Sequence, residues 1–424
     1  MSNYICRHLI IFVLLTTSNL QNILAQLQTN EAALPSHIKS VQFFRAADKT
    51  GIPILQLGDP LRMTFDDING DEADYYYKII HCDFNWTPSQ LSKNEYLDGF
   101  DDIRITNYEN SFNTLQIYSH YTVNIPNEDT YGLKVSGNYI LQIYDDNDQF
   151  VFSRKFIVYE NIASVGVKIK RSRTLAHINT KQSVHFEINP GKSFFFRNPE
   201  QTVKTLILQN GDLQTSITNL KPQYTSANKL VYRYDSEASF WGGNEFLFYD
   251  NKEIRSSTAN IKRVALEDLY HHYLYTDVVR ANRNYTYNPD INGGFVIRNL
   301  RSEDSDTAAD YVWMHFTLQC YEPIGKGELY LYGDFNNYEL NRNNQLVYNK
   351  ESGFFELKIL LKQGFYNYKY VLRTESNAIE PGFISGNFDE TENIYTVISY
   401  YTAPGARYDR VIGIGEANSS SISN

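Results

Sequence analysis

Among 424 residues the side chains that could bind a metal or act as nucleophiles are few and scattered. His271-His272 is the only adjacent pair among nine histidines. Neighbours on a strand point to opposite faces, so this pair is not expected to chelate one ion. The acidic run Asp66 to Glu72 has the composition of a calcium loop, but Glu72 stands where an EF-hand loop has Gly and the closing Glu is missing. The spacing therefore predicts a solvated hairpin turn. Cys6 falls in the leader described below, which leaves Cys82 and Cys320, 238 positions apart. A bridge between them would have to join distant domains, and two buried thiols is the preferred reading. No Gly-x-Ser-x-Gly elbow, Cys/His nucleophile signature, phosphate-cradling loop, dinucleotide fingerprint or glycosidase-like carboxylate pair occurs. No catalytic residue, metal or cofactor is expected, and the chain reads as a non-enzyme.

Contact chemistry is the other route to function. Phe194-Phe195-Phe196, between Lys192 and Arg197, places at least one ring on the outer face of any strand. The competing reading is a strand buried on both sides. Trp241, before Gly242-Gly243, fits a loop-tip anchor under the same competition. Phe194, Phe195, Phe196 and Trp241 are the candidate partner contacts.

The elements that must carry these residues read as strands. Tyr 34 and Phe 25 bring aromatic content to 15%, and flat side chains pack well on pleated surfaces. Leu61 to Phe65 alternates, Asn69-Gly70 supplies a hairpin-turn signal, and Tyr75 to Ile80 resumes as a strand. Tyr139 to Tyr144, the turn Asp145-Asp146-Asn147-Asp148 and Phe150 to Phe152 form a second hairpin, with Lys155 to Tyr159 close behind. These predict an immunoglobulin-like β-sandwich over 35–160. Val165 to Lys170, Val184 to Ile188, Thr205 to Gln209, Lys229 to Tyr234 and Phe246 to Tyr249 predict a middle β-sandwich over 161–281. A loop-like stretch from Asn282 to Gly294 leads to Tyr311 to Leu318, Glu328 to Gly333, Phe354 to Ile359 and Tyr366 to Val371, a third sandwich over 295–415. The serine-rich end, 416–424, has little to bury and is read as a flexible tail. The expected fold is all-β, three sandwiches in tandem.

Met1 to Ala25 has Arg7, the apolar run Leu9 to Leu15 and a small residue before Gln26, the pattern of a secretory signal peptide over 1–25. No other stretch approaches the roughly 20 apolar residues of a spanning helix. Gln26 rather than Cys follows the expected cleavage site, so no lipid anchor is expected. Lys+Arg 39 against Asp+Glu 49 gives a net charge of -10. An acidic surface repels nucleic acid phosphates, so nucleic acid is excluded as an expected partner.

Several strings carry a family resemblance. Ile79-Ile80-His81-Cys82-Asp83-Phe84-Asn85-Trp86, Ser89-Gln90-Leu91, Glu95 to Phe100, Ser111-Phe112-Asn113-Thr114, Tyr118-Ser119-His120-Tyr121, Ser136-Gly137-Asn138-Tyr139 and Leu360 to Tyr368 resemble the type IX secretion system plug proteins of Bacteroidota. The resemblance implies a non-enzymatic, all-β periplasmic protein that reversibly closes the periplasmic mouth of the outer-membrane translocon barrel when no cargo is engaged. It would be held there by protein contact, not inserted in the membrane, through an interface of ordinary size and moderate polarity. Gly333 to Tyr338 with Gly364 to Tyr370 is similar to the early-set sandwiches of starch- and glycogen-acting enzymes, with Tyr338 where many carry Trp. This implies an alternative, a periplasmic glycan-binding module. A hydrolase with converging carboxylates or His in a deep pocket is the third reading.

Overall fold

In the computed structural model, residues 31, 33–45, 53–191, 194–226 and 228–422 are described. The leader expected over 1–25 lies outside them. The first unit is a sandwich. One sheet pairs the strands Ile38–Arg45, Leu61–Asp67, Ser119–Ile125 and Tyr108–Asn110 in that spatial order. The other runs Ile54–Gln56, Phe150–Tyr159, Gly137–Asp145, Tyr75–Cys82 and Ile103–Arg104. Alternation aims Leu61, Met63 and Phe65 at Tyr75, Tyr77 and Ile79, and all six are buried. The core is aromatic: Phe65 stacks on Tyr121 at 5.0 Å and meets Tyr75 and Phe152 edge-on at 5.3 and 5.2 Å. Each such pair contributes about 1 kcal/mol beyond its area burial.

The Asn69-Gly70 signal forms a turn but not the expected hairpin. Gly70 N–H donates to Asp67 O and Gly70 holds a φ of 65°, a left-handed conformation that favours glycine. The strands on either side of it lie in different sheets, so the turn is an arch across the core. Nor are its carboxylates all solvated, since Asp66 and Asp67 are buried. The hairpin at Asp145 to Gln149 forms as expected, with Gly137–Asp145 antiparallel to Phe150–Tyr159.

The remaining sheets depart from a tandem order. The middle unit packs Ala163–Arg171, Lys181–Pro190, Lys229–Tyr232 and Tyr224–Ser226 against a sheet ordered Asp212–Thr218, Val203–Gln209, Ile394–Tyr401, Arg410–Asn418. Its second sheet is thus half built from the end of the chain. The third unit, lying between Trp241 and Thr391, contains Leu247–Asp250, Ile261–Leu266 and Tyr270–Leu274. These were expected in the middle sandwich. The boundaries at 281, 295 and 415 therefore do not follow the sheets: the third unit is inserted into the middle one. Alternation identifies a strand but not its partner, and Leu247–Asp250 pairs with Tyr368 to Phe365 while Val203–Gln209 pairs with Tyr401 to Tyr395.

The tail begins later than expected. The strand Arg410–Asn418 runs past 416, and buried Ser419 is tied by its hydroxyl to Thr391 O at 2.8 Å. Asn282 to Gly294 is a loop within the third unit, pinned where Asn367 Oδ1 accepts from Ile291 N–H at 2.6 Å.

Candidate functional site

The expected contact residues separate in the structure. Phe194, Phe195 and Phe196 form no strand; they follow Lys181–Pro190 and precede the short helix Pro199–Thr202. Phe194 and Phe196 rest on Tyr401, with centroids 5.0 and 6.0 Å away, and only Phe195 points outward, 69% exposed. Phe195 borders an open groove of about 520 Å³ with Asn161, Ser164, Asn189 and Asn228. Lys192, expected beside it, lies outside the described residues. Trp241 ends the strand Ser239–Trp241, half-exposed, with Lys181 Nζ 4.3 Å from its ring centroid and His177 edge-on at 5.5 Å.

The strings that carry the family resemblance lie largely at joints between units. At the joint of the first and third units, Asp66 is fully buried. Its Oδ1 lies 2.6 Å from His120 Nδ1, and its Oδ2 accepts from Tyr311 O–H and from Lys362 Nζ, each at 2.6 Å. Lys362, 1% exposed, also donates to Asp306 O at 2.6 Å and sits 4.0 Å over the Tyr118 ring. Tyr118 O–H in turn donates to Ala309 O at 2.8 Å. Burial would push the Asp66 carboxyl up, but Lys362 and His120 outweigh it and hold the group below its ordinary range. Beside this network both Asp310 carboxylate oxygens accept from Leu115 N–H, at 3.1 and 3.0 Å.

At the joint of the first and middle units, Phe84, Ile54 and Ile157 pack against Leu206, Leu208, Ile398, Tyr400 and Val411. Tyr400 O–H donates to Asn138 Oδ1 at 2.8 Å. Asp409 Oδ2 accepts from Phe84 N–H at 2.9 Å, and Lys204 Nζ donates to its Oδ1 at 2.8 Å. Burial works against the Asp409 carboxylate, yet Lys204, Thr402 and the Phe84 amide together keep its pKa lowered. Arg410 and Glu160 close the edge at 2.6 Å. A close-packed seam with most of its polar groups paired resists opening, because loosening it exposes buried charge and apolar area together.

Among the described residues the adjacent histidines turn apart and the two cysteines are unpaired. His272 turns inward, its Nε2 2.8 Å from Ile254 O, while His271 turns out to meet His315 at 2.9 Å, as opposite faces require. Burial pushes His315 down to about 4 and His81 down to about 4, so both are neutral near pH 7. His81 is held between Ser89 Oγ and Ser136 O. Cys82 and Cys320 are free and buried, and burial pushes their thiols up to about 12 and about 11. Among the described residues no group of three or more His, Cys, Asp or Glu could hold a metal ion. Tyr338, the position compared with the sugar-stacking Trp of early-set modules, is 8% exposed and its O–H donates to Asn210 O at 3.3 Å. It therefore presents no ring face to solvent.

The largest exposed apolar groups of the first unit come from loops that the sequence reading did not mark as contacts. Phe112, Leu115 and Ile117 are 76%, 50% and 58% exposed within seven residues, and Phe112 N–H bonds to Thr307 O of the third unit. Phe100, just past the strand Leu97–Gly99, and Tyr131, on the strand Thr130–Leu133 that pairs with it, are also exposed, beside the Phe100 N–H to Asp129 O bond. A period of two across Leu115 and Ile117, in a segment that forms no strand, was the available signal.

The fold and its joints define an all-β protein of sandwich units locked together by buried polar contacts, with apolar side chains exposed on the first unit. Residues 38–160 match the family model described as the type 9 secretion system plug protein first domain, and the chain belongs to the type IX secretion system plug protein family. It is similar to a crystal structure of a hypothetical protein from Parabacteroides merdae, at 32% identity and a TM-score of 0.88, covering 93% of this chain and 100% of that one. Three N-terminal domains of the bacteriophage RB49 outer capsid protein Hoc also align, at 12% identity and a TM-score of 0.14 over 90% of this chain and 97% of that one. No curated protein matches the chain.

Proposed function

We propose that the protein sits in the periplasm and closes the periplasmic mouth of the outer-membrane translocon barrel of the type IX system, leaving when cargo engages. Family membership through residues 38–160 is the observation that carries this reading. Physical bulk supports it. A sandwich of about 130 residues is roughly 35 Å across, and a compact body of about 380 residues roughly 55 Å. Blocking a pore that passes folded proteins requires such a body to be stiff, and the Asp66–Lys362 pair together with the Phe84–Asp409 and Tyr400–Asn138 hydrogen bonds supplies stiffness between units. Obstruction of this kind requires no chemistry of the chain.

Reversible docking calls for a limited apolar contact with a polar rim. Phe112, Leu115 and Ile117 on the matched unit meet that description better than Phe194 to Phe196, of which two are spent on Tyr401. The test is affinity purification from native envelopes of cells not secreting cargo, followed by mass spectrometry. Wild type brings down an outer-membrane barrel, and F112S/L115S/I117S brings down at least about ten-fold less at an unchanged urea midpoint. Partner-free wild-type protein in such cells would overturn the reading.

A further inference from the structure

Where the middle and third units meet there is a cavity of about 190 Å³. Phe240, Trp241, Phe246, Tyr332, Tyr338 and Val371 are among the apolar residues that line it. The polar groups on its margin are largely spent on each other. Asn393 Nδ2 donates to Gly242 O at 2.9 Å, Asn210 Nδ2 to Asn393 Oδ1 at 2.7 Å and Asn244 Nδ2 to Ser385 O at 2.7 Å. The Asp212 carboxylate accepts from Tyr332 O–H at 2.6 Å, Thr215 O–H at 3.0 Å and Gln214 N–H at 2.7 Å.

Two ammonium groups on the wall are different. Lys369 Nζ lies 4.8 Å from the Phe246 centroid and 5.4 Å from that of Tyr332, both buried rings. Lys181 Nζ covers Trp241 at the exposed end. Among the described residues neither amine makes an ion pair or a hydrogen bond. Burial lowers the Lys369 pKa, opposed by Asp212 and Asp290 at longer range. A cation among aromatic rings with no acceptor is costly unless something in the adjoining space accepts from it.

We propose that this cavity binds a small organic monoanion, a carboxylate on a flat or branched apolar body. Its carboxylate takes the Lys369 ammonium and its body lies along Phe246, Tyr332 and Trp241, with Lys181 closing the open end. The aromatic wall disfavours a fully hydrated inorganic ion. Asp212 in the same wall repels a second negative charge, which selects a monoanion over a dicarboxylate or phosphate dianion. Seams between domains are favoured places for such sites. The proposal is independent of the plugging role.

The test uses the full chain without its leader, with benzoate and 4-methylpentanoate as probes and benzamide and phthalate as controls, read by ligand-observed NMR and by Trp fluorescence. Saturable benzoate binding is expected below about 20 mM, with benzamide and phthalate at least about ten-fold weaker, since each loses or opposes the charge-assisted contact. K369M is expected to weaken benzoate about ten-fold or more while leaving the urea midpoint unchanged or higher. W241A, altering a half-exposed ring, serves as the second variant and is expected to weaken benzoate as well. Absence of saturable binding by both carboxylates, equal binding of benzamide, or full affinity in K369M or in W241A would overturn the proposal.

Discussion

Removing the Lys362 amine is the most demanding test of the joint between the first and third units. Lys362 Nζ and Asp66 Oδ2 are 2.6 Å apart with 1% and 0% side-chain exposure. At an effective dielectric of about 20 their gross attraction is about 6 kcal/mol. Desolvating the two ions costs several kcal/mol each, so the intact pair is close to neutral for stability. K362M removes the attraction and leaves the Asp66 charge buried with Tyr311 and His120 alone, a loss of about 3–5 kcal/mol. D66N costs less, about 2 kcal/mol, because Lys362 keeps Asp306 O and the Tyr118 ring. The double variant D66N/K362M has no orphaned charge and is expected within about 2 kcal/mol of wild type, far from the sum of the singles. Urea titration followed by fluorescence suits the measurement, since Trp86, Trp241 and Trp313 report on the first, middle and third units respectively. Wild type is expected to lose all three signals together, and K362M to separate Trp86 from Trp313. Additive single and double losses, or a K362M cost below about 1 kcal/mol, would refute the reasoning.

Acidity should act on a different carboxyl in the opposite sense. Burial pushes Asp334 up to about 6, with Arg154 drawing it back, so the folded chain binds its proton more tightly than the unfolded chain and stability falls as pH rises from about 4 through 6. D334N is accordingly expected to raise the unfolding free energy from urea titration at pH 7.5, by up to about 2 kcal/mol, and to leave it unchanged near pH 4; a gain equal at both values would contradict the assignment. Cys82 and Cys320, with thiols raised to about 12 and about 11, are expected to resist a thiol-titrating disulfide at pH 8 and to react only in denaturant; rapid native labelling of either would show that burial is misjudged. A Cβ at Gly242 would meet Phe388 O at 2.0 Å, so G242A is expected to cost about 1–3 kcal/mol and to open the 242–246 segment to limited proteolysis; wild-type resistance would show that the crossing yields freely.

The strands were legible as aromatic-rich apolar runs, some alternating and some continuous: Leu61 to Phe65, Tyr139 to Tyr144, Tyr311 to Leu318 and Tyr366 to Val371 all lie within strands. Pairing was not legible. Tyr395 to Tyr401 reads the same whether its neighbour is a strand of the third unit or Val203–Gln209, 190 positions away, because hydrogen bonding across a sheet leaves no mark on period-two patterning. The same limit explains Asp66. On the sequence it is one of several acidic residues near a turn, and only the third unit's Tyr311 and Lys362 reveal it as a buried anchor. Phe194 to Phe196 left two readings open on the sequence, a contact patch or a buried strand; the segment forms no strand, Phe194 and Phe196 lie on Tyr401, and only Phe195 is exposed. The Ser111 to Thr114 string carried the resemblance but not its geometry; a loop's exposure depends on what its neighbours leave uncovered.

Placing the third unit inside the middle one fixes an order of assembly. The chain leaves the middle unit after Trp241 and returns at Thr391, and the two crossings are stitched by Phe388 N–H to Gly243 O at 2.8 Å and Thr391 O–H to Gly243 O at 2.9 Å. A polypeptide emerging N-terminus first can complete its first and inserted units early. It must hold Val203–Gln209 as an open edge until the last two strands arrive. Trimming the chain before Ile394 would therefore strip the middle unit of half a sheet while sparing the inserted one, and a tag placed near Asn418 would load the seam that is sealed last.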